Sequence, residues 1–167
     1  VNESADIAYF TICAASPKIL PENIAAGTKL TPGDNWVLKV NGETEYDYYG
    51  TKYSWADDMF DNDSWSGNYL DTGDVIEIDL GEVKTVTTVS IEYYDWYYGV
   101  KSYQSIRTSP DGVKWTDWKE IPDRSSVGTH YLTFSYPAET RYIELVLGDY
   151  AYSSHYGTYM CNIFVYA

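Results

Sequence analysis

Residues 75–81 read Val75-Ile76-Glu77-Ile78-Asp79-Leu80-Gly81, and they carry the clearest secondary-structure signal in the chain. From Ile76 to Leu80 every second residue is apolar, and the residues between are acidic. This period of two is typical of a β-strand that buries one face. The same alternation returns at residues 89–93, where Val, Ile and Tyr are separated by Ser and Glu. Both segments are therefore predicted to be half-buried strands.

Four more segments are rich in β-branched or aromatic residues and are predicted to be strands. They are residues 104–109, 131–135, 141–147 and 162–167. Turn signals separate these segments at Leu80-Gly81-Glu82, Ser109-Pro110-Asp111-Gly112 and Tyr136-Pro137. Short strands at this spacing, without a convincing amphipathic helix, predict an all-β fold, an antiparallel β-sandwich.

The first 74 residues are less regular. Pro17, Pro21 and Pro32 interrupt the pattern, and residues 41–73 are polar and aromatic. We expect this part of the chain to be loop-rich. No internal repeat, Gly/Ser linker or low-complexity block marks a boundary, so residues 1–167 are predicted to form a single domain.

The charge of the chain limits its partners. Lys and Arg number 11 against 25 Asp and Glu, which gives a formal net charge of −14. Such a field repels phosphate backbones and anionic lipids, so neither nucleic acid nor a membrane is an expected partner. The sequence has no run of about 18 apolar residues, and it starts at Val1 without a signal-peptide pattern. We expect any targeting segment to have been removed or to lie in a longer parent protein.

Two cysteines are present, Cys13 and Cys161, 148 positions apart. A disulfide between them would join the first strand to the last and would imply an oxidising compartment. Two buried free thiols are the alternative, and the sequence leaves both open.

Three segments carry a family resemblance. They are Asp58-Met59-Phe60-Asp61-Asn62-Asp63-Ser64-Trp65, then residues 75–81 followed by Val86 and Val89, and finally Ser109-Pro110-Asp111-Gly112-Val113-Lys114-Trp115 followed by residues 141–145. In this order they resemble the calcium loop, the strand ending in Asp-Leu-Gly and the Ser-x-Asp-Gly-x-x-Trp hairpin of a discoidin-like (coagulation-factor C-type) domain. The resemblance implies a galactose-binding-like jelly roll, the fold of family 32 carbohydrate-binding modules.

Four carboxylates fall within seven residues, at Asp57, Asp58, Asp61 and Asp63. A loop tolerates their repulsion either in full solvent or around a hard cation, for which calcium is the natural choice. The resemblance implies a structural calcium ion. Its predicted ligands are Asp58, Asp61, Asp63, Ser64 and Asn162. Two features depart from the family pattern: the loop is short before Trp65, and Asn162 stands where the family often has Glu.

Aromatic residues are unusually abundant, with 19 Tyr, 6 Trp and 4 Phe, so many rings must lie at the surface. Residues 93–99 and 150–156 are aromatic stretches outside the predicted strand interiors, and a third runs from Tyr46 to Trp55. Sugar rings combine apolar C–H faces with a rim of hydroxyls. They are therefore bound by flat aromatic groups beside planar polar groups.

The resemblance implies a sugar site built from loops at one end of the sandwich. The predicted ligand-binding residues are Tyr94, Asp95, Trp96, Tyr97, Tyr98, Tyr152, His155 and Tyr156. Trp96, Tyr97 and Tyr156 are expected to stack on sugar rings, and Asp95 and His155 to hydrogen-bond. By contrast, Trp65, Trp115 and Trp118 are expected to pack in the core or on the sheet, and Asp111-Gly112 to form a tight turn.

The sequence offers little support for catalysis. Ser153-Ser154-His155 places hydroxyls beside an imidazole, but neighbours on a loop do not form a triad, and no nucleophile-elbow motif is present. The resemblance implies a non-catalytic carbohydrate-binding module, such as a glycoside hydrolase accessory module, in a secreted or cell-surface protein. Its expected partner is a polysaccharide or glycoprotein glycan, bound by a monomer within a larger multidomain protein. A protein-binding or adhesion domain is the alternative, because the fold hosts several recognition functions.

Overall fold

The computed structural model describes residues 16–20, 27–93, 104–121, 131–148 and 158–167. Its elements are β1 Lys18–Ile19, β2 Val37–Val40, β3 Glu45–Tyr48, β4 Thr51–Ser54, α1 Trp55–Met59, β5 Asn68–Leu70, β6 Val75–Tyr93, β7 Gln104–Ser109, β8 Lys119–Ile121, β9 Tyr131–Val146 and β10 Thr158–Tyr166. Every pairing between these strands is antiparallel. The predicted all-β antiparallel architecture is confirmed.

One large sheet contains the order β5-β10-β6-β9-β7-β8, with β2 also paired to β6 and β1 to β9. The β6–β9 ladder is its longest, running from the Val75–Val146 pair to the Glu92–Tyr131 pair. Its two ends nevertheless lie close together. Ser105 pairs with Val146 at one end, while the neighbouring Gln104 hydrogen-bonds Tyr93 at the other. The two long strands therefore fold over midway, which curls the sheet into two facing layers.

The fold-over coincides with irregularities that were predicted to be turns. The ladder shifts register between Asp79 and Lys84 and again between Val86 and Thr88. Gly81 has a φ of 76°, which a β-bulge can require, and its N–H donates to Asp79 Oδ1 at 2.8 Å. Pro137, which has no N–H, lies at the second shift. The turns predicted at Leu80-Gly81-Glu82 and Tyr136-Pro137 are wrong: β6 and β9 continue through both.

The core lies between the two layers. The alternation read at residues 75–81 is confirmed, because Ile76, Ile78 and Leu80 are fully buried. Phe134 and Ile143, from the two arms of β9, are equally inaccessible. Burying an apolar side chain of this size stabilises the fold by roughly 1.5–3 kcal/mol. Because β6 and β9 each contribute residues from both arms, the core also holds the fold-over in place.

The loop-rich expectation for residues 41–73 is only partly correct. β3 and β4 pair as a separate two-stranded sheet, the β3–β4 hairpin, which α1 follows directly. The Ser54 side chain caps α1 by accepting a hydrogen bond from the Asp57 N–H at 3.4 Å. Trp55 and Met59 are the buried residues of α1. Within the described ranges, no helix has the length and apolarity needed to cross a membrane.

The Asp111-Gly112 turn is confirmed. Gly112 has a φ of 73°, and Asp111 Oδ1 accepts hydrogen bonds from the N–H groups of Val113 and Lys114 at 2.9 and 2.8 Å. The last strand, β10, runs away from β5 until Tyr166 pairs with Thr88. Ala167 then exchanges two backbone hydrogen bonds with Thr28.

A charged pair fastens the fold-over. Arg141 of β9 donates to both carboxylate oxygens of Asp79, with Nε to Oδ1 at 2.7 Å and an Nη to Oδ2 at 2.8 Å. The hydrogen bond from Arg141 is the main reason that the pKa of Asp79 is held below its usual range, which the Gly81 N–H reinforces. Such bidentate pairs are the more specific kind of surface ion pair.

Because the pKa of Asp79 is lower in the folded than in the unfolded state, its stabilising effect is present above the unfolded pKa, about 3.9, and is lost as the pH falls. We expect Arg141→Gln to lower the midpoint of chemical denaturation at pH 7. At pH 3 the difference between the midpoints of the variant and the wild type should be smaller. Denaturation curves at both pH values check this. A difference in midpoint of equal size at both pH values would contradict this prediction. Arg107→Gln is the matched variant, because it removes an arginine that pairs with Glu144 instead of Asp79.

Candidate functional site

All eight residues predicted to bind sugar fall outside the described residues. Tyr94, Asp95, Trp96, Tyr97 and Tyr98 lie within residues 94–103, and Tyr152, His155 and Tyr156 lie within residues 149–157. Their prediction therefore stays a prediction. The structure does describe the residues that flank these two segments, and those that flank the segment 122–130.

The flanking residues of all three segments meet at one end of the sheet. Tyr93 and Gln104, which bound the first segment, are joined by a hydrogen bond from Gln104 Nε2 to the Tyr93 hydroxyl. The neighbouring contacts are the pairs Gln104–Ile121, Glu92–Tyr131, Tyr93–Met160 and Thr158–Leu70, together with the hydrogen bond from Thr72 Oγ1 to the Gly148 carbonyl at 3.2 Å. We call this end of the sandwich the segment end. It is defined by the six residues that flank the three segments, which are Tyr93, Gln104, Ile121, Tyr131, Gly148 and Thr158.

Two buried polar side chains lie at the segment end. Tyr93 is 2% and Gln104 1% exposed. Burial raises the pKa of the Tyr93 phenol well above its usual value, so the hydroxyl stays protonated. Gln104 Oε1 is buried without a hydrogen-bond partner among the described residues. Leaving such an acceptor unpaired costs about 1–3 kcal/mol, and this one lies at the segment end.

A buried carboxylate lies beside this pair. Glu92 is 4% exposed, and it accepts hydrogen bonds from the Tyr131 hydroxyl at 2.9 Å and from Asn162 Nδ2 at 2.7 Å. Burial, assisted by Glu92, raises the pKa of Tyr131. Asn162 Oδ1 in turn accepts from the Asn62 N–H at 3.1 Å. Residues 57–66, which contain the four clustered carboxylates, are called the acidic loop. Asn162 thus ties the acidic loop to β6 and β10.

The acidic loop does not gather the predicted calcium ligands through their side chains. The Asp58 carboxylate accepts from the Tyr46 hydroxyl, and Asp63 Oδ1 accepts from the Trp65 N–H at 2.9 Å. The Ser64 carbonyl accepts from Cys161 Sγ at 3.4 Å. Among the described residues, no group of three or more His, Cys, Asp or Glu side chains is arranged to hold a metal.

A different set of oxygens does converge in this loop, around the hydroxyl of Ser66. Ser66 Oγ lies 2.6 Å from Asp61 Oδ2, 3.0 Å from the Asp63 carbonyl and 3.3 Å from the Asp58 carbonyl. One carboxylate, two carbonyls and a hydroxyl are all hard oxygen donors, which suit calcium. The oxygen set fits a calcium ion, with Asp58 and Asp63 contributing carbonyls and Ser66 contributing its hydroxyl.

Cys161 is buried in β10. Cys13 lies outside the described residues, so the predicted disulfide between them stays a prediction.

The three tryptophans expected to pack differ in their surroundings. Trp65 is 75% exposed, so its predicted place in the core is wrong. The short acidic loop holds its backbone N–H at Asp63 and leaves the ring at the surface. Trp115 and Trp118 do pack, and their partner is the Arg107 guanidinium, which lies 4.6 and 4.5 Å from their ring centroids in cation–π contacts. Arg107 also forms an ion pair with Glu144.

The sequence matches the model of the F5/8 type C domain over residues 39–161. The chain belongs to this family. The match spans the acidic loop, the fold-over and β5 to the start of β10, whereas Asn162 and the contact between Thr28 and Ala167 lie outside it. Comparison with curated proteins finds no significant match.

Solved structures agree on the fold of this F5/8 type C domain, a discoidin-like β-sandwich. The module CpGH89CBM32-5 from Clostridium perfringens, in complex with GalNAc-β-1,3-galactose, is 14% identical, with a TM-score of 0.59 over 82% of this chain and 99% of that one. The family 32 module of C. perfringens NanJ, in complex with galactose, is 11% identical, with a TM-score of 0.56 over 84% and 98%. Chitosan-binding module 2 from a Paenibacillus chitosanase/glucanase, in complex with chitotriose, is 16% identical, with a TM-score of 0.55 over 80% and 97%.

The Asn162 contacts predict a stability defect. In Asn162→Ala, both the Asn62 N–H and the buried Glu92 carboxylate lose a partner, so we expect the free energy of unfolding to fall by about 2–3 kcal/mol. Urea denaturation measures this. Ser90→Ala is the control, because it removes one neutral hydrogen bond at a residue that is equally buried. An Asn162→Ala variant no less stable than Ser90→Ala would refute the bridging role.

Proposed function

We propose that this F5/8 type C domain is a non-catalytic carbohydrate-binding module that contacts glycan at the segment end. The observation that carries the proposal is the convergence of the residues that flank 94–103, 122–130 and 149–157 on one end of the sandwich. Two of these segments contain all eight predicted sugar-binding residues. Both segments therefore begin and end at the same end of the sandwich, which supports a single site of aromatic rings and polar groups, as recognition of a sugar requires.

Two further observations support this function. Related structures of the same fold are named as complexes with galactose, GalNAc-β-1,3-galactose and chitotriose. The net charge of −14 disfavours sulfated or uronic-acid polymers, because they would be repelled. The proposed partner is therefore an uncharged or amine-bearing glycan. It is bound by a monomeric module outside the cell, as part of a larger secreted or cell-surface protein.

The same proposal includes a structural calcium ion in the acidic loop. Asp61 Oδ2, the Asp58 and Asp63 carbonyls and Ser66 Oγ would hold it, and bound calcium would supply a fixed positive charge that neutralises the crowded carboxylates. Asn162 holds the loop at Asn62, which supports these oxygens from β10. The role of the ion is to stabilise the loop, with no part in chemistry.

A glycan-array screen of the labelled domain tests the binding function. We expect a coherent set of hits that share a terminal sugar or backbone, with dissociation constants in the micromolar to millimolar range. Trp96→Ala should lose them, because it removes a predicted stacking ring. A blank array from folded protein, or submicromolar binding to a protein that carries no glycan, would favour the protein-binding alternative.

Thermal unfolding with calcium or with a chelator tests the ion. At calcium 100-fold above its dissociation constant, we expect stability to rise by about 2.7 kcal/mol relative to the chelated protein. Asp61→Asn should abolish this difference. Asp57→Asn should retain it, because among the described residues the Asp57 carboxylate makes no hydrogen bond. Equal melting temperatures with calcium and with chelator in the wild type would mean that the loop is stable without a metal.

A further inference from the structure

The β3–β4 hairpin has one aromatic and one charged face. Its register places Tyr46 opposite Tyr53 and Tyr48 opposite Thr51, so these residues share a face. Glu45, Asp47 and Lys52 alternate with them and lie on the other face, where Lys52 and Glu45 form a salt bridge at 3.3 Å. The hairpin pairs with no other described strand, and Tyr48 and Tyr53 on its aromatic face are exposed.

The rings on this face form a continuous row. Tyr46 packs on the buried Trp55 at a centroid distance of 4.4 Å and stacks on Tyr53 at 5.6 Å with an interplanar angle of 22°. Tyr48 follows, 6.4 Å from Tyr53 and 4.7 Å from Tyr49, with each ring edge-on to the next. Exposure rises along the row, from 8% at Trp55 to 43% at Tyr53, 59% at Tyr48 and 93% at Tyr49.

The tip of the hairpin holds a residue in an unfavourable conformation. Tyr49 and Gly50 form the two-residue connection, with φ angles of 51° and 82°. Positive φ at both positions is the pattern of a type I′ turn, which favours Asn followed by Gly. A tyrosine in this left-handed region is a backbone outlier, and such outliers concentrate at ligand-binding sites. Among the described residues, Tyr48 is the one ring that the Tyr49 ring contacts, so the fold offers little to offset this conformation.

The hairpin also emerges at the segment end. Asn41 precedes it, donating its N–H to the Val75 carbonyl at 2.8 Å and accepting the Val75 N–H at 3.0 Å. Val75 pairs with Val146, which pairs with Ser105 beside Gln104. The aromatic face is therefore anchored at the same end of the sandwich as the segments that carry the predicted sugar-binding residues.

We propose that the aromatic face of the β3–β4 hairpin is an additional glycan-contact surface, which lengthens the site so that it takes an uncharged polysaccharide chain rather than one sugar. This inference rests on the proposed function. Every exposed ring of the row is a tyrosine, which offers an apolar face and a hydroxyl to a sugar. The hairpin has one lysine against Glu45 and Asp47, so it lacks the basic residues that a lipid surface or an anionic glycan would require.

The decisive variant is Tyr49→Asn, because it separates binding from folding. Asn suits the turn better than Tyr, so the melting temperature should stay the same or rise. Affinity for long uncharged chains on a glycan array should fall about tenfold, the size expected for losing one aromatic contact. Affinity for free galactose, which occupies a single ring position, should not change. Val113→Asn is the control, since Val113 is 80% exposed on the distant Asp111-Gly112 turn.

Trp96→Ala on the same array distinguishes the two proposals. Loss of chain binding in Tyr49→Asn but not in Val113→Asn supports the hairpin surface, and Tyr48→Ala should reproduce it. If Tyr49→Asn and Tyr48→Ala bind long chains as the wild type does while Trp96→Ala fails, the hairpin proposal is overturned and the module function stands. If Tyr49→Asn and Tyr48→Ala lose chain binding while Trp96→Ala retains it, the hairpin is the site and the predicted loop residues are wrong. A wild type that binds no glycan overturns both proposals.

Discussion

The antiparallel ladder between β6 and β9 is the constraint on which the rest of the structure depends. β2 and β10 pair with β6, and β1 and β7 pair with β9, so almost every other strand of the main sheet takes its position from these two. The irregularities at residues 79–88 let the ladder fold over. Both of its ends consequently lie at the segment end, where this single pair of strands helps to bring together the residues that flank 94–103, 122–130 and 149–157.

The alternation at residues 75–81 and 89–93 predicted two half-buried strands, because a strand that buries one face has an apolar residue at every second position. The antiparallel β-sandwich was predicted from the further β-rich segments and their spacing. The continuity of β6 and β9 was not predictable. A glycine with positive φ, or a proline without an N–H, suits a turn and a bulge equally well. The choice depends on whether a partner strand pairs with the residues on both sides. Here Val86 pairs with Ala138 and Thr88 with Ser135, so the strands continue past the irregularity. The β3–β4 hairpin was missed because each strand has four residues and Tyr-Gly is not a common hairpin turn.

The site could be predicted only in part, for a similar reason. Spacing identified the acidic loop, but two of the four oxygens that converge there are backbone carbonyls, which carry no sequence signal. The hydrogen-bond network of Glu92, Asn162 and Tyr131 joins residues up to 70 positions apart, and only the folded sheet brings them together.

The direction of β10 determines how the domain is presented. The strand starts at Thr158 beside the segment end and spans about 25 Å before Tyr166. Ala167 is then held against Thr28, at the opposite end. Any polypeptide attached at Ala167 would therefore leave the domain at the end opposite the segment end and the aromatic face of the β3–β4 hairpin. A tether at that point would start at the end of the domain opposite the proposed glycan-contact surface.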